Sequence, residues 1–427
     1  MNPVPQPAEH QLSLRDYLPA ALFGIAITAF HILHGRKLAA SVLLESYNWV
    51  FDLDSARFVG GWCGDLAGNM GPAFLARHAL SLATRPFCLG LTTIVDDPRQ
   101  ALMLLTALCA GCAAAIAYLL ACRFCAAFVD RFILACAFAV SAQPLMLGVT
   151  PETYGFALAG NGLHLLLIAG YLGTAPKLRA SVIVSFALNA GFTVTNAILN
   201  VVSSIVLAWN RMPLRHWLAV ETRTWLWAGI ALLAVVTPLA AYYDSTLFVK
   251  SSGAPKAIWW IINMNRGEAA GLVRVITSFV LFDFVAPAFT LVNLPAPDSH
   301  VMLDFREVRY GLPGTIALAL WMLGMVLGVM LAWREENTRR LLVICLTWLL
   351  ANIVLHWHWQ GNGSVYLYGA HTAFTMFAIL VVGYAIALRR FPVAAVRSTA
   401  LLMVCLTAFN NIALYESMIE FLTSQSH

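Results

Sequence analysis

Residues 101–122 read ALMLLTALCAGCAAAIAYLLAC, a run without one charged side chain, flanked by Arg99 and Arg123. An α-helix of that length rises about 33 Å at about 1.5 Å per residue, and the hydrocarbon core of a bilayer is about 30 Å thick. The run therefore predicts a helix that crosses a membrane. Working outward, similar apolar runs occupy 17–35, 131–149, 155–174, 226–243, 312–333, 341–356, 366–388 and 398–415. Composition agrees: 60% of the 427 residues are apolar and 11% charged, where a soluble domain carries about 25% charged residues. Mean hydropathy is +0.76. An ordinary soluble enzyme is excluded. So is a nucleic-acid binder, because a net charge of +5 with lysine only at Lys37, Lys177, Lys250 and Lys256 leaves no basic face for phosphates.

The stretch 180–209 is too long for one upright helix and carries Asn189, Gly191, Thr193, Thr195, Asn196 and Asn200 inside it. Basic residues stand at both ends, Lys177 and Arg179 before it, Arg211 and Arg215 after it. Two ends on one side need an even number of crossings, so the stretch reads as two short helices meeting at Thr195–Asn196. The positive-inside bias orients the rest. Arg15, Arg123, Arg131, Lys177, Arg179, Arg211, Arg215, Arg223, Arg334, Arg339, Arg340, Arg389, Arg390 and Arg397 form the cytoplasmic set. The other side receives 36–100, the Thr150–Tyr154 turn, the Thr195 turn, 244–311, 356–366 and the C-terminal tail. This predicts an all-α polytopic protein with about eleven spans, the N-terminus inside and the C-terminus outside. Two apolar segments, 78–95 and 273–291, then lie along or dip into the outer interface. Residues 1–16 are polar, and no small-residue cleavage site follows the run from Tyr17, so that run reads as an uncleaved anchor. No repeat or linker divides residues 1–427, which form one transmembrane domain with large outer loops at 36–100 and 244–311.

Of nine cysteines, seven lie within or beside apolar runs, where cysteine behaves as a small hydrophobe. Cys63 and Cys88 fall in a long loop region, and nothing in the sequence pairs them. The pair Cys122 and Cys125 has redox-like spacing, but no second pair or nearby histidine joins it.

Four outer stretches could carry chemistry. In the first loop Asp52 and Asp54 precede Ser55, Arg57 and Phe58. Two carboxylates at that spacing suit a general base or a metal ligand, and equally an Asx-turn with Asp54 capping a helix from Ser55. Further on, His78 leads into Arg85-Pro86-Phe87, where a guanidinium could hold a lipid phosphate or simply snorkel at the membrane boundary. Thr150-Pro151-Glu152-Thr153-Tyr154 reads as a helix N-terminus, yet it carries Glu152 to the level of Asp54. Finally, His356-Trp357-His358-Trp359 is followed by Tyr366, Tyr368 and His371. The tryptophans suit an interfacial belt and the aromatics suit sugar stacking. His356 and His358 could join Asp54 and Glu152 around a metal, although no strong ligand spacing supports it.

Taken in order, these elements resemble the GT-C superfamily of membrane glycosyltransferases, in outline the bacterial lipid A aminoarabinose transferases and protein mannosyltransferases. Asp54-Ser55-Ala56-Arg57-Phe58 resembles that family's Asp-Glu-x-Arg-Tyr, and Arg85-Pro86-Phe87 its basic-Pro-Pro-Leu element. Pro151-Glu152 stands where the family has a second acidic residue. Gly191 to Asn196 is similar to its Gly-x-x-x-Thr-Lys helix pair, and Tyr366 to His371 to a late Tyr-x-x-x-His. The chain departs at Ser55 for Glu, Arg85 for Lys and Asn196 for Lys, and the sequence given predicts no soluble C-terminal domain. The resemblance implies a GT-C-like bundle with interfacial helices in the outer loops of a bacterial inner membrane, its active site facing the periplasm. It implies transfer of a hexose or pentose from a polyprenyl-phosphate donor to a hydroxyl of a glycan, lipid or protein acceptor. Asp54 would be the base, with Asp52 beside it. Glu152 would orient the acceptor or bind a divalent cation, magnesium or manganese. Arg57, Arg85, His78, Thr195, Asn196, His356, Tyr366, Tyr368 and His371 would bind substrate. The competing class is a transporter or flippase, which would show inverted repeats and paired broken helices.

Overall fold

A computed structural model describes residues 12–45, 49–51, 55–64, 78–173, 177, 179–242, 271–294, 301–359 and 365–425. The chain begins with α1 (Leu14–Gly35), where the Ser13 N–H and hydroxyl both donate to Asp16 Oδ2, at 2.8 and 2.9 Å. A single turn, α2 (Ser55–Phe58), runs into a wide π-type turn over Val59–Cys63. Next come α3 (Ser81–Val95), α4 (Pro98–Phe124), α5 (Phe128–Ala139), α6 (Ala142–Leu147) and α7 (Thr153–Ala169). The helices α8 (Ala180–Phe192) and α9 (Ala197–Ala208) flank a 3-10 turn at Val194–Asn196. After α10 (Leu214–Tyr242) follow α11 (Leu272–Val280) and an antiparallel ribbon of β1 (Thr290–Asn293) and β2 (Val301–Asp304). The chain closes with α12 (Leu312–Ala332), α13 (Glu336–Trp359), a 3-10 stretch over Tyr366–His371, α14 (Ala373–Arg390) and α15 (Val393–Ser424).

Seven of these helices, α1, α4, α10, α12, α13, α14 and α15, are long and apolar enough to cross a membrane. The predicted pair over 180–209 is present, α8 and α9 meeting through Thr195 and Asn196. At 13 and 12 residues each is about 20 Å long, short of a full span. The run 131–149 departs from expectation. It breaks at Val140–Ser141 into α5 and α6, with Pro144 inside the second piece. A buried non-helical segment, 281–286, satisfies the break: the Ala142 N–H donates to the Phe284 carbonyl at 3.0 Å and the Gln143 N–H to Asp283 at 3.1 Å. Asn411 of α15 completes the junction, donating from Nδ2 to the Val140 and Phe284 carbonyls and accepting from the Ala286 N–H. The β ribbon was not legible in an all-α reading. It anchors the first loop, since Phe51 N–H donates to Leu303 and Leu303 N–H to Trp49, both at 2.9 Å.

At the centre lies α4, walled by α1, α3, α5 and α7, with alanines, cysteines and leucines buried along most of its length. Glycine permits the closest approach: a Cβ on Gly24 of α1 would lie 2.7 Å from the Gly111 carbonyl, and one on Gly111 2.5 Å from that of Gly24. Small residues at such crossings let membrane helices pack backbone to backbone.

The two ends of the bundle differ in chemistry. At one end Asp16 of α1 pairs with Arg131 of α5 at 2.8 Å. Asp130 is gripped by Arg397 through two parallel bonds, Nε to Oδ1 and Nη2 to Oδ2, and also accepts from the Tyr384 hydroxyl. Arg389 meets Glu335, and Arg211 reaches the Leu172 carbonyl and Asn337. Every arginine in these contacts belongs to the set assigned above to one side. The opposite end holds the loops, and there Cys63 of the π-type turn and Cys88 of α3 form a disulfide. The spacing alone did not pair them; packing of the turn on α3 does. Removing a disulfide that closes a loop of this size costs about 2–4 kcal/mol. A Cys63→Ser variant should therefore melt earlier in detergent than the wild type. In the wild type, a maleimide polymer should label Cys63 and Cys88 only after reduction; labelling without reductant would refute the bond.

Candidate functional site

At the disulfide-bearing end, residues far apart in sequence are brought together. The π-type turn packs on α3, and Arg85, only 6% exposed, donates from Nη1 to the Gly61 carbonyl at 2.8 Å and the Gly60 carbonyl at 3.4 Å. A snorkelling arginine would present its head to water; Arg85 instead turns inward and ties α3 to the first loop. His78 Nδ1–H donates to the Phe192 carbonyl at 2.7 Å, and the Leu80 N–H to that of Gly191 at 2.8 Å. Gly191 is required here, because a Cβ would lie 2.6 Å from the Leu80 side chain. The first loop is thereby fastened to the end of α8, next to the Thr195–Asn196 turn. Aromatic contacts continue inward from Trp62 to Phe156 and from Phe156 to Phe192, at 5.5 and 5.0 Å between centroids.

Glu152 caps α7, its Oε1 accepting from the Thr153 N–H at 3.1 Å and the Thr153 hydroxyl at 3.2 Å. The capping reading is thus realised. Two residues later Tyr154 touches His371 at 5.7 Å and Tyr368 at 5.3 Å between centroids. His356 lies against Tyr368 with ring centroids 4.2 Å apart and the rings tilted by 36°, and it is nearly parallel to His371 at 6.3 Å. The 3-10 stretch is held in place through the His371 carbonyl, which accepts from Trp348 Nε1 at 2.7 Å and Asn161 Nδ2 at 3.2 Å. The His371 ring is buried, and its Nδ1 has no hydrogen-bond partner among the described residues. Burial pushes its pKa down to about 3, with the charges of His356 and His78 adding to the effect. His371 is therefore a neutral imidazole at neutral pH, suited to exchanging hydrogen bonds with hydroxyls rather than to holding an anion.

Other candidates fall elsewhere. Asp52 and Asp54 lie outside the described residues. Arg57 is half-buried on α2, Thr195 is half-buried, and Asn196 is fully buried with neither amide atom partnered among the described residues. Tyr366 stands apart from the His356–His371 group, its ring packed between Phe51 at 4.5 Å and Phe305 at 4.7 Å. His358 and Trp357 are exposed at the end of α13, as an interfacial belt requires. Among the described residues no three metal-ligating side chains converge.

Two features escaped the sequence reading. Asp283 is wholly buried, accepting from the Thr372 hydroxyl at 3.0 Å, with Gly369 pressed against its other oxygen. Burial pushes its carboxyl well above the usual range, against hydrogen bonds from Thr372 and Gln143. A lone acid inside the apolar run Leu281-Phe282-Asp283-Phe284 was the available signal. The second is the buried Asp304, which accepts from Arg274 Nη2 at 3.2 Å and Arg306 Nε at 2.9 Å; residues thirty apart in a loop gave no sign of meeting.

No known protein family matches the chain, and no curated protein or solved structure does either. The site is read on its own chemistry.

Because the folded state keeps His371 neutral while an unfolded chain protonates it below about pH 6.5, its contribution to stability is present above that pH and lost as pH falls toward 3. A His371→Gln variant should lose less stability than the wild type between pH 6 and 4, by up to about 1.4 kcal/mol per pH unit. Thermal unfolding in detergent at the two pH values measures this, and parallel acid slopes would contradict it.

Proposed function

We propose that the protein is a membrane glycosyltransferase that moves a sugar from a polyprenyl-phosphate donor to an acceptor hydroxyl on the non-cytoplasmic side. The observation that carries the proposal is the convergence at one end of the bundle. The first-loop turn, Arg85, Glu152, the α8–α9 turn and the Tyr368–His371 stretch, which in sequence only follow one another, meet there. Ring faces beside a neutral histidine and a carboxylate suit a sugar, which offers C–H faces for stacking and hydroxyls for hydrogen bonds. A disulfide survives in oxidising compartments, which supports a non-cytoplasmic assignment for that end. The arginine-rich end supports the opposite side as cytoplasmic, in a multi-pass arrangement of about eleven spans.

The reaction we infer is a direct displacement. The acceptor oxygen attacks the anomeric carbon, its proton passes to Asp54, and the bond from that carbon to the phosphate oxygen breaks. The polyprenyl phosphate leaves with the bonding pair. A positioned carboxylate is the simplest base for that proton, and guanidinium groups would stabilise the charge on the leaving phosphate. Glu152 would orient the acceptor, or hold a divalent cation if the reaction uses one.

Sugar transfer by purified variants tests the scheme. Asp54→Asn should fold normally and lose about two to four orders of magnitude in rate, while Asp52→Asn should lose less. Asparagine caps helices nearly as well as aspartate, so a rate close to wild type for Asp54→Asn would leave Asp54 a cap and end its role as base. Arg85→Lys keeps the charge without the fork and should retain more activity than Arg85→Ala. A cysteine at position 54 reached only from the cytoplasmic side would overturn the topology and the reaction together.

A further inference from the structure

Between the end of α7, the start of α8 and the facing sides of α9 and α10 lies a cavity of about 30 Å³, enough for one water-sized group. Glu221 of α10 lines it. That carboxylate is 8% exposed and accepts from the Ser204 hydroxyl and, at 2.8 Å, from Trp225 Nε1. Trp217 Nε1 in turn donates to the Ser204 hydroxyl at 2.9 Å, which fixes its place. Both donors to Glu221 are neutral, and among the described residues no cation pairs with it. A buried carboxylate without a counter-charge is costly, and a cation that brings its own N–H donors relieves the cost.

Two cations line the same cavity, Lys177 and Arg179, both exposed. Arg179 is set over the Tyr171 ring, 4.5 Å from its centroid. Opposite charges thus line one cavity without closing on each other. A ligand that fills it carries them in reverse order, a cation inward against Glu221 and an anion outward against Lys177 and Arg179. Size limits the inner group. A primary ammonium matches a water-sized space and offers three N–H donors, and Phe186 lines the cavity with a ring face that attracts a cation. A trimethylammonium is larger and donates nothing.

The cavity stands at the arginine-rich end of the bundle. Just beyond Tyr171 the Leu172 carbonyl accepts from Arg211, and the Val206 carbonyl of α9 accepts from Arg340. Trp217 and Trp225 suit the membrane–water boundary there. Val184 of α8 and Leu218 of α10, 50% and 48% exposed, leave apolar surface on which lipid chains can lie.

We propose that this cavity binds the headgroup of phosphatidylethanolamine, with its ammonium seated on Glu221 and its phosphate against Lys177 and Arg179. Free phosphoethanolamine shares that chemistry, but the exposed apolar side chains favour the lipid. The site lies at the other end of the bundle from the His356–His371 group and does not depend on the transferase reading.

Binding of defined lipids to the delipidated full chain in detergent, read by native mass spectrometry, tests the site. Phosphatidylethanolamine should bind at least about tenfold more tightly than phosphatidylcholine or phosphatidylglycerol with the same chains. The singly N-methylated lipid should fall in between. Glu221→Gln keeps an acceptor for Ser204 and Trp225. It should abolish the preference for phosphatidylethanolamine and leave phosphatidylcholine binding within about twofold. Lys177→Gln/Arg179→Gln should weaken phosphatidylethanolamine binding about two- to tenfold. Arg223→Gln removes an exposed charge of α10 that does not line the cavity, and should stay within about twofold of the wild type. If Glu221→Gln does not fold, the lipid series on the wild type decides alone. A wild type that binds phosphatidylcholine or phosphatidylglycerol as tightly as phosphatidylethanolamine would overturn the proposal. So would an undiminished preference in folded Glu221→Gln. Soluble phosphoethanolamine that displaces the lipid at equal concentration would overturn the lipid as occupant.

Discussion

Asn411 holds the junction on which the disulfide-bearing end of the bundle depends. Its side chain is fully buried in α15, where it donates to the carbonyls of Val140 and Phe284 and accepts from the N–H of Ala286. Those three backbone groups belong to the break between α5 and α6 and to the non-helical segment 281–286. An unpaired peptide group away from water costs several kcal/mol, so irregular backbone enters a membrane protein only where something else completes its hydrogen bonds. One amide completes three. Its neighbour Asn410 adds a fourth by donating to the Ala286 carbonyl at 2.8 Å.

Much of the disulfide-bearing end is built on that junction. With 281–286 fixed, Asp283 meets Thr372, and Gln143 reaches the Tyr366 carbonyl, so the 3-10 stretch Tyr366–His371 is seated from below. Trp348 and Asn161 seat it from the sides. The same segment leads back to α11 and forward to the β ribbon, whose bridge to Trp49 and Phe51 brings the first loop over the end of the bundle. Rigid helices thus carry a set of irregular elements whose side chains are positioned by packing and by paired backbone, as a binding site requires.

The opposite end uses different physics. There the helix termini are joined by charge pairs, Asp16 with Arg131, Asp130 with Arg397 and Glu335 with Arg389, which connect α1, α5, α14, α15 and the α12–α13 turn. The bidentate geometry at Asp130 and the added Tyr384 hydroxyl make it the best satisfied of these. Helix ends tied in this way resist sliding, while the loop end is stapled by Cys63–Cys88 instead.

By itself the sequence determined the apolar helical architecture, with helices long enough to cross a membrane, and the arginines that gather at one end of the bundle. Hydropathy and charge act locally: a run such as 101–122 has no other stable home, and Arg389 or Arg397 must stay near water. The kink at Thr195–Asn196 was legible for the same reason, since polar residues and basic flanks mark it in the chain. Only tertiary structure decided the rest. The break at Val140 depends on a carbonyl acceptor meeting Asn411, some 270 residues away. The Cys63–Cys88 bond depends on how a π-type turn packs against α3. Arg274 and Arg306 meet at Asp304 because a ribbon and a short helix fold together, and His371 is neutral because other helices bury it. Each of these is a contact between distant residues in a dry interior, where the strength of a polar group is set by its partners and not by its neighbours in sequence.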